Sequence, residues 1–420
     1  MKVTVWFLII SCCFINCVWA PLPGYAPVTG LFFEKSRDAL VKAYFQQDYS
    51  CNEIVMFLGV VHGISVCART VRRILRRLHL RRRVPQTNER FQQALNAISI
   101  ELEGNGSCLG YKSMWRRLKM KGIPIQRNVV RVALQMLDPE GVAQRKRKRL
   151  KRRMYVNPGP NFVWHIDGYD KLKPYGFAIH GAIDGFSRRV LWLNVGSSNN
   201  DPIIVARHFI DTVLQLKTLP CIVRGDRGTE NVHVCRIQRY LRSQHTDEFS
   251  GSDSFLYGRS TSNQRIESWW SILRKQGMNF WMNLFKDMIS AGLLDTSDVI
   301  HIHALRYCFM DLIQRNLCQL AVEWNQHRIQ TKPNSECIKG KPDVNFFLPQ
   351  NVQTESYAAD FALDDVWAIY NELDVAPVKE DIDSRFVELV HGLLPNVEEP
   401  MDPADGLVLY SKILEAIENL

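Results

Sequence analysis

Three carboxylates stand in settings that let them do chemistry together. They are Asp167 in Val163-Trp-His-Ile-Asp167-Gly168, Asp226 in Val223-Arg-Gly-Asp226-Arg-Gly228-Thr-Glu230, and Glu267 in Asn263-Gln-Arg-Ile-Glu267-Ser-Trp-Trp. The first follows a short apolar run of strand character, the second closes another such run before a glycine turn, and the third sits inside a helical pattern. Carboxylate oxygens delivered from two strand ends and one helix are hard ligands suited to a pair of Mg²⁺ or Mn²⁺ ions. Such a pair activates a water or hydroxyl and stabilises the leaving oxygen of a phosphodiester. A lone Asp or Glu at a strand end or turn is usually solvated or capping, and Asp170, Asp184, Asp201, Asp211 and Glu230 are read that way. Asp184 is the competitor as a ligand, because it too closes an apolar run, but Gly185-Phe186-Ser187 after it is a turn signature.

The spacing narrows the reading. Between Asp167 and Asp226 lie 58 residues, and between Asp226 and Glu267 lie 40. A Trp three residues before the first Asp, Asp-x-Gly-x-Glu at the second, Asn-x-x-x-Glu at the third, and Ala182-Ile-Asp184-Gly-Phe-Ser-Arg188 between them occur in this order. Together they resemble the D,D-35-E core of retroviral integrases and related transposases over about residues 155 to 330, and most of all the integrase-core-domain proteins encoded in animal genomes. The resemblance implies catalytic and metal-binding roles for Asp167, Asp226 and Glu267, and none for Asp184. The last gap exceeds the family's 35, and the excess falls in the Gly/Ser/Asn-rich stretch from Ser250 to Asn263. Family members often carry basic residues four and seven positions after the Glu to hold DNA phosphates. Here Arg274 fills the second position and Ser271 occupies the first, so Arg274, together with Asn263 of the motif, is a candidate DNA contact. Either the three carboxylates bind metal or the core has decayed and keeps the residues without the activity.

Elements able to position these residues are visible in the hydrophobic pattern. Strands are expected at Phe162 to Ile166, Phe177 to Ile183, Val190 to Val195 and Cys221 to Arg224. Helices are expected at Pro202 to Leu216, Asn231 to Leu241, Asn263 to Lys275 and Val299 to His327. Three strands, helix, strand, helix is the order of an α/β ribonuclease-H-like fold, whose mixed central sheet sets its first and fourth strands side by side. Trp269 and Trp270 read as core packing.

Ahead of this core the chain is helical and basic. The Ser50-x-x-Glu53 capping box, the break at His62-Gly63 and the spacing of Val71, Ile74, Leu75 and Leu78 predict helix, turn, helix between Tyr49 and Arg83. The second helix backs its apolar stripe with Arg69, Arg72, Arg73, Arg76 and Arg77, as a recognition helix facing the major groove does, or as a basic helix that only solubilises a bundle does. A second unit reads as helices at Tyr111 to Leu118 and Asn128 to Leu134 around Lys121-Gly122-Ile-Pro124, and resembles the small helical modules that precede the core in insertion-sequence transposases. The run Arg145 to Arg153 is either a solvated linker or a nuclear localisation signal. Such Lys/Arg clusters are the footprint of phosphate binding. They coexist with a net charge of +10 because the tail beyond about Val352 is acidic.

The expected organisation is therefore a leader at 1–20, a helix-turn-helix-like DNA-binding module at 35–83, a second helical module at 88–140, a basic linker at 141–154, a catalytic core at 155–330 and an acidic tail at 340–420. The tail is expected to be a partner surface or partly disordered. Eleven cysteines include no Cys-x-x-Cys and no His-x-x-x-His partner, so the zinc module of retroviral integrases is not visible. Lys2 and the apolar run Val3 to Val18, ending in Val18-Trp19-Ala20, look like a secretory signal. Pro21 would follow the scissile bond and makes it a poor protease substrate. The leader is thus a true export signal, an uncleaved segment, or a wrongly assigned first exon. Apart from it no apolar run spans a bilayer.

Two functions of different class follow. One is a Mg²⁺- or Mn²⁺-dependent polynucleotidyl transferase that cuts and joins DNA strands, acting in the nucleus as a homo-oligomer. The other is a non-catalytic DNA- or chromatin-binding protein derived from a mobile element.

Overall fold

The computed structural model describes residues 36–81, 87–123, 125–145, 157–258, 263–330, 338–373, 382–395 and 397–420. The leader and most of the basic run from Arg145 to Arg153 lie outside the described residues.

Two small helical bundles come first. Helices α1 (Arg37–Gln46), α2 (Cys51–Val60) and α3 (Ala68–Arg77) close around Leu40, Tyr44, Ile54, Phe57, Val71 and Ile74. The Ser50 hydroxyl accepts the Glu53 N–H and the Glu53 carboxylate accepts the Ser50 N–H, so both orphan donors at the start of α2 are satisfied. The opposite face of α3 leaves Arg69, Arg72, Arg73, Arg76 and Arg77 exposed, although Arg77 is ion-paired with Asp38. Helices α4 (Asn88–Glu103), α5 (Tyr111–Met120) and α6 (Arg127–Leu137) surround Ile98, Met114, Leu118, Val130 and Leu134, and the short α7 (Pro139–Arg145) follows. In each bundle the sequence pattern reveals two helices. The third, α1 or α4, covers the apolar face that a lone pair would leave open.

The central unit is a five-stranded sheet: β1 (Val163–Tyr169), β2 (Ala178–Asp184), β3 (Val190–Gly196), β4 (Ile222–Gly225) and β5 (Phe255–Tyr257). Their order is β3-β2-β1-β4-β5, with β1 antiparallel to β2 and parallel to β4. A parallel pair needs a crossover, and α8 (Pro202–Leu216) supplies it. α8 and α9 (Val232–Leu241) pack on one face against Trp164, Ile166, Ala182 and Val223. The other face, with Ile179, Ile183, Leu193 and Val195, is covered by α10 (Gln264–Leu273), α11 (Asn279–Ser290) and the long α12 (Val299–Asn325). A five-residue π-helical turn, Arg274–Met278, links α10 to α11. This is the mixed sheet expected of a ribonuclease-H-like α/β fold.

The segment after residue 340, expected to be a partner surface or partly disordered, is helical over much of its described length. It forms α13 (Pro342–Phe347), α14 (Leu363–Glu372), α15 (Ser384–Leu393) and α16 (Pro403–Glu418). Phe386, Val390, Leu409, Tyr410 and Ile413 join the core beneath α12, and Val366 joins the α8–α9 side. Asp364, Asp365, Glu372, Glu388, Asp405, Glu415 and Glu418 lie on the exposed faces of these helices, whose inner faces pack on the central unit. α13 also binds the first bundle to the sheet. The buried Asp343 carboxylate accepts the Tyr49 hydroxyl (2.9 Å) and Arg189 Nε (3.0 Å), and Val344 and Leu348 enter the bundle's apolar core. The second bundle is tied by Arg117, buried between Glu101 and Glu323 at 2.8 Å from each. Among the described residues no helix is long and apolar enough to cross a membrane.

Candidate active site

Asp167 lies within β1, two residues from its end. Side chains alternate across a strand, so Trp164 and Ile166 enter the α8–α9 side while His165 and Asp167 face α10. Asp167 is paired across the sheet with Gly181 of β2. A Cβ on Gly181 would come within 2.8 Å of Cη2 of Trp270. The absent side chain leaves room for that indole, whose Nε1–H donates to Asp167 Oδ2 at 2.8 Å.

Parallel pairing of β1 with β4 carries Asp226, just past the end of β4, to the same edge. There its Oδ1 accepts the Gly228 N–H (3.1 Å) and Asn231 Nδ2 (3.0 Å). Asn231 also donates to Glu230 Oε1 at 2.8 Å, and the Glu230 carboxylate folds so closely over Gly228 that a Cβ there would meet it at 2.0 Å. A side chain at Gly228 would displace the Glu230 carboxylate from this position.

Glu267 sits in the first turn of α10. The N-terminus of that helix is anchored to β1 by Asn263, which donates to the Ile166 carbonyl (2.8 Å) and bonds His165 Nδ1 through its Oδ1. Asp167, Asp226 and Glu267 thus line one cavity of about 510 Å³, with Lys171, Trp270 and Arg274 among its other walls.

Charge is concentrated there. Burial, reinforced by Glu267 and Asp226 and opposed by the Trp270 bond, pushes Asp167 from 3.8 up to about 7. Burial and then Asp226 also raise Glu267, against the pull of Lys171, and burial raises Glu230. Three like charges gathered in a partly dry cleft repel one another unless protons or cations accompany them. Hard oxygen donors on a sheet edge suit Mg²⁺, which keeps several waters and takes one or two carboxylates rather than a closed protein cage. Among the described residues no group of three His, Cys, Asp or Glu side chains is gathered closely enough to hold a metal ion in this arrangement.

Asp184 serves the hairpin it ends. Its Oδ2 accepts the Phe186 N–H, the Ser187 N–H and the Ser187 hydroxyl, and its Oδ1 accepts the Asn161 N–H. Asp170 and Glu230, read from sequence as merely solvated or capping, line the cavity as well. Asn263 corrects the expectation that it contacts DNA: it is 1% exposed, with both ends of its amide engaged inside the protein. Arg274 opens on the cavity, whereas Arg69, Arg72, Arg73, Arg76 and Arg77 form a separate surface on α3. Trp270, read as core packing, is both a core residue and the partner of Asp167. Only the strand register that sets Gly181 opposite Asp167 could have revealed this.

Residues 154–339 match the family model described as an integrase core domain. This region is an integrase core domain of the retroviral, DDE type. The match spans all five strands and all three carboxylates, and it ends just before α13, so the helical bundles and the C-terminal helices lie outside it. No curated protein matches the chain. The integrase core places this part of the chain in a polynucleotidyl-transferase-like family.

Proposed function

We propose that the chain cuts and joins DNA strands by metal-dependent phosphoryl transfer, with Asp167, Asp226 and Glu267 holding Mg²⁺ or Mn²⁺. The observation that carries this reading is the convergence of these three carboxylates, from β1, the end of β4 and α10, on one cavity. When bound, a divalent pair lowers the pKa of an attacking water or 3′-hydroxyl and neutralises charge on the leaving oxygen.

The chain's own residues do the rest. Asn231 and the Gly228 N–H fix Asp226 in place. The Asn263 bonds seat α10 so that Glu267 overlooks the strand edge. Lys171 and Arg274, on the cavity wall, supply positive charge for a scissile or flanking phosphate. Beyond the core, the exposed arginines of α3 grip duplex phosphates and present a helix to the major groove. A DNA substrate supports the reading that the protein works in the nucleus.

The test is nicking and strand joining on duplex DNA by the full-length protein with Mg²⁺ or Mn²⁺. Activity should appear with metal, vanish with EDTA, and be lost in Asp226→Asn while DNA affinity stays within about twofold, because the basic surfaces are untouched. Turnover at the wild-type rate in Asp226→Asn would reject the site. DNA binding without any turnover by the wild type would favour a non-catalytic, mobile-element-derived DNA-binding protein.

A further inference from the structure

One contact in the cavity is built with more care than packing requires. Trp270 lies on α10 one turn after Glu267, is 6% exposed, and turns its indole N–H onto Asp167 Oδ2 at 2.8 Å. Its ring is wedged between Tyr169, at 5.4 Å between centroids, and the space left by Gly181. Three residue types therefore agree: a donor-bearing ring, a glycine where the sheet would otherwise supply a side chain, and a carboxylate that accepts. A phenylalanine would be smaller and would lack the N–H that engages Asp167 Oδ2.

We propose that Trp270 is a positioning residue for Asp167, engaging Oδ2 so that the carboxylate meets a divalent cation through its other oxygen and the site prefers Mg²⁺ to Ca²⁺. The inference rests on the reading of Asp167 as a metal ligand. A carboxylate held by one oxygen is a one-point ligand, which suits the strict octahedron of Mg²⁺. Ca²⁺ gains from flexible sites of six to eight oxygens in which carboxylates often bind through both. Partners that orient a metal ligand typically contribute 10- to 100-fold to metal affinity.

The experiment is calorimetric titration of the full-length protein with Mg²⁺, Mn²⁺ and Ca²⁺ separately, without DNA. Trp270→Phe should weaken Mg²⁺ and Mn²⁺ binding by about tenfold and Ca²⁺ binding less, so that the preference for Mg²⁺ shrinks. Gly181→Ala should move affinities the same way although the N–H is intact, because the new methyl displaces the indole. If Trp270→Phe fails to fold, 3-benzothienylalanine at position 270 keeps the ring's size and removes only the N–H. Wild-type binding with unchanged affinities in folded Trp270→Phe or its benzothienyl counterpart would overturn the role of Trp270 and leave the metal site standing. No binding of any of the three ions by the wild type would overturn the metal site and this inference together.

Discussion

Replacing Asp167 by Asn should stabilise the metal-free protein, and the size of the gain follows from the site. The carboxyl is held at about 7 in the folded chain against an ordinary value of 3.8, a difference of about three units. At about 1.4 kcal/mol per unit, ionising Asp167 costs the fold at most about 4 kcal/mol. Water in the open cavity relaxes part of this, and the new amide NH₂ needs an acceptor, so the expected gain is about 1–3 kcal/mol. The amide oxygen can keep the Trp270 bond, so little packing is lost.

The sign depends on pH. Below about pH 4 the carboxyl is protonated in both folded and unfolded chains, and the substitution gains nothing. Between about pH 4 and 7 the unfolded chain ionises first, wild-type stability falls, and the advantage of Asn grows. Above about 7 it is constant. Urea unfolding in EDTA at pH 4, 5.5, 7 and 8.5 measures this directly. A variant that is less stable than wild type at pH 8.5, or whose gain does not change with pH, would refute the view of Asp167 as a destabilised carboxylate held in place for function.

Three more expectations follow. Arg117→Met leaves Glu101 and Glu323 buried without their shared cation and should destabilise the chain by about 3–5 kcal/mol; thermal unfolding with proteolysis mapping should show cleavage first around the 87–145 bundle. Charge reversal of Arg72, Arg73 and Arg76 should weaken DNA binding and flatten the dependence of log K on log salt by about 0.9 per lost phosphate contact, whereas Arg77→Ala, at the residue already paired with Asp38, should change it less. Expressed in animal cells, the full-length protein should enter the nucleus and remain unglycosylated at Asn105-Gly106-Ser107. A glycosylated form in the medium would show that Met1 to Ala20 prevails over Arg145 to Arg153, with no consequence for the fold or the cavity.

The parts of the fold that sequence made legible are those where one physical signal dominates. Trp164 and Ile166, or Ile179 and Ile183, alternate cleanly, and α8 runs from Pro202 to Leu216 as its pattern predicts. The β1 reading stopped at Ile166 because Asp167 and Gly168 break the apolar run, yet pairing with β2 carries the strand on to Tyr169. β5 is three residues inside a Gly/Ser-rich stretch and holds together by parallel pairing with β4, which no local pattern encodes. α11 went unread because the π turn at Arg274–Met278 shifts the helical phase between it and α10. The three carboxylates were legible through their motifs. Their neighbours Trp270, Asn231 and Lys171 were not, since each matters only through a register or a turn that brings it to Asp167, Asp226 or Glu267.

The docking of the first bundle depends on the same kind of long-range information. Tyr49 and Asp343 are 294 residues apart in sequence, and Asp343 lies beyond the matched integrase core. Its carboxylate is nonetheless the point where the bundle, through Tyr49, and the sheet, through Arg189, meet. Arg189 is itself fully buried, stacked over Phe346 and Phe347 at 5.3 and 5.2 Å. Lys341 adds a bond from its ammonium to the Asp48 carbonyl. Buried polar groups joined this way are costly to separate, because undocking the bundle would take the Tyr49 hydroxyl from the buried Asp343 carboxylate. The helix that carries Arg69 to Arg77 is therefore held at a set position relative to Asp167, Asp226 and Glu267 rather than tethered by a loose linker. A segment read from sequence as an acidic appendage begins with the clasp that sets that geometry.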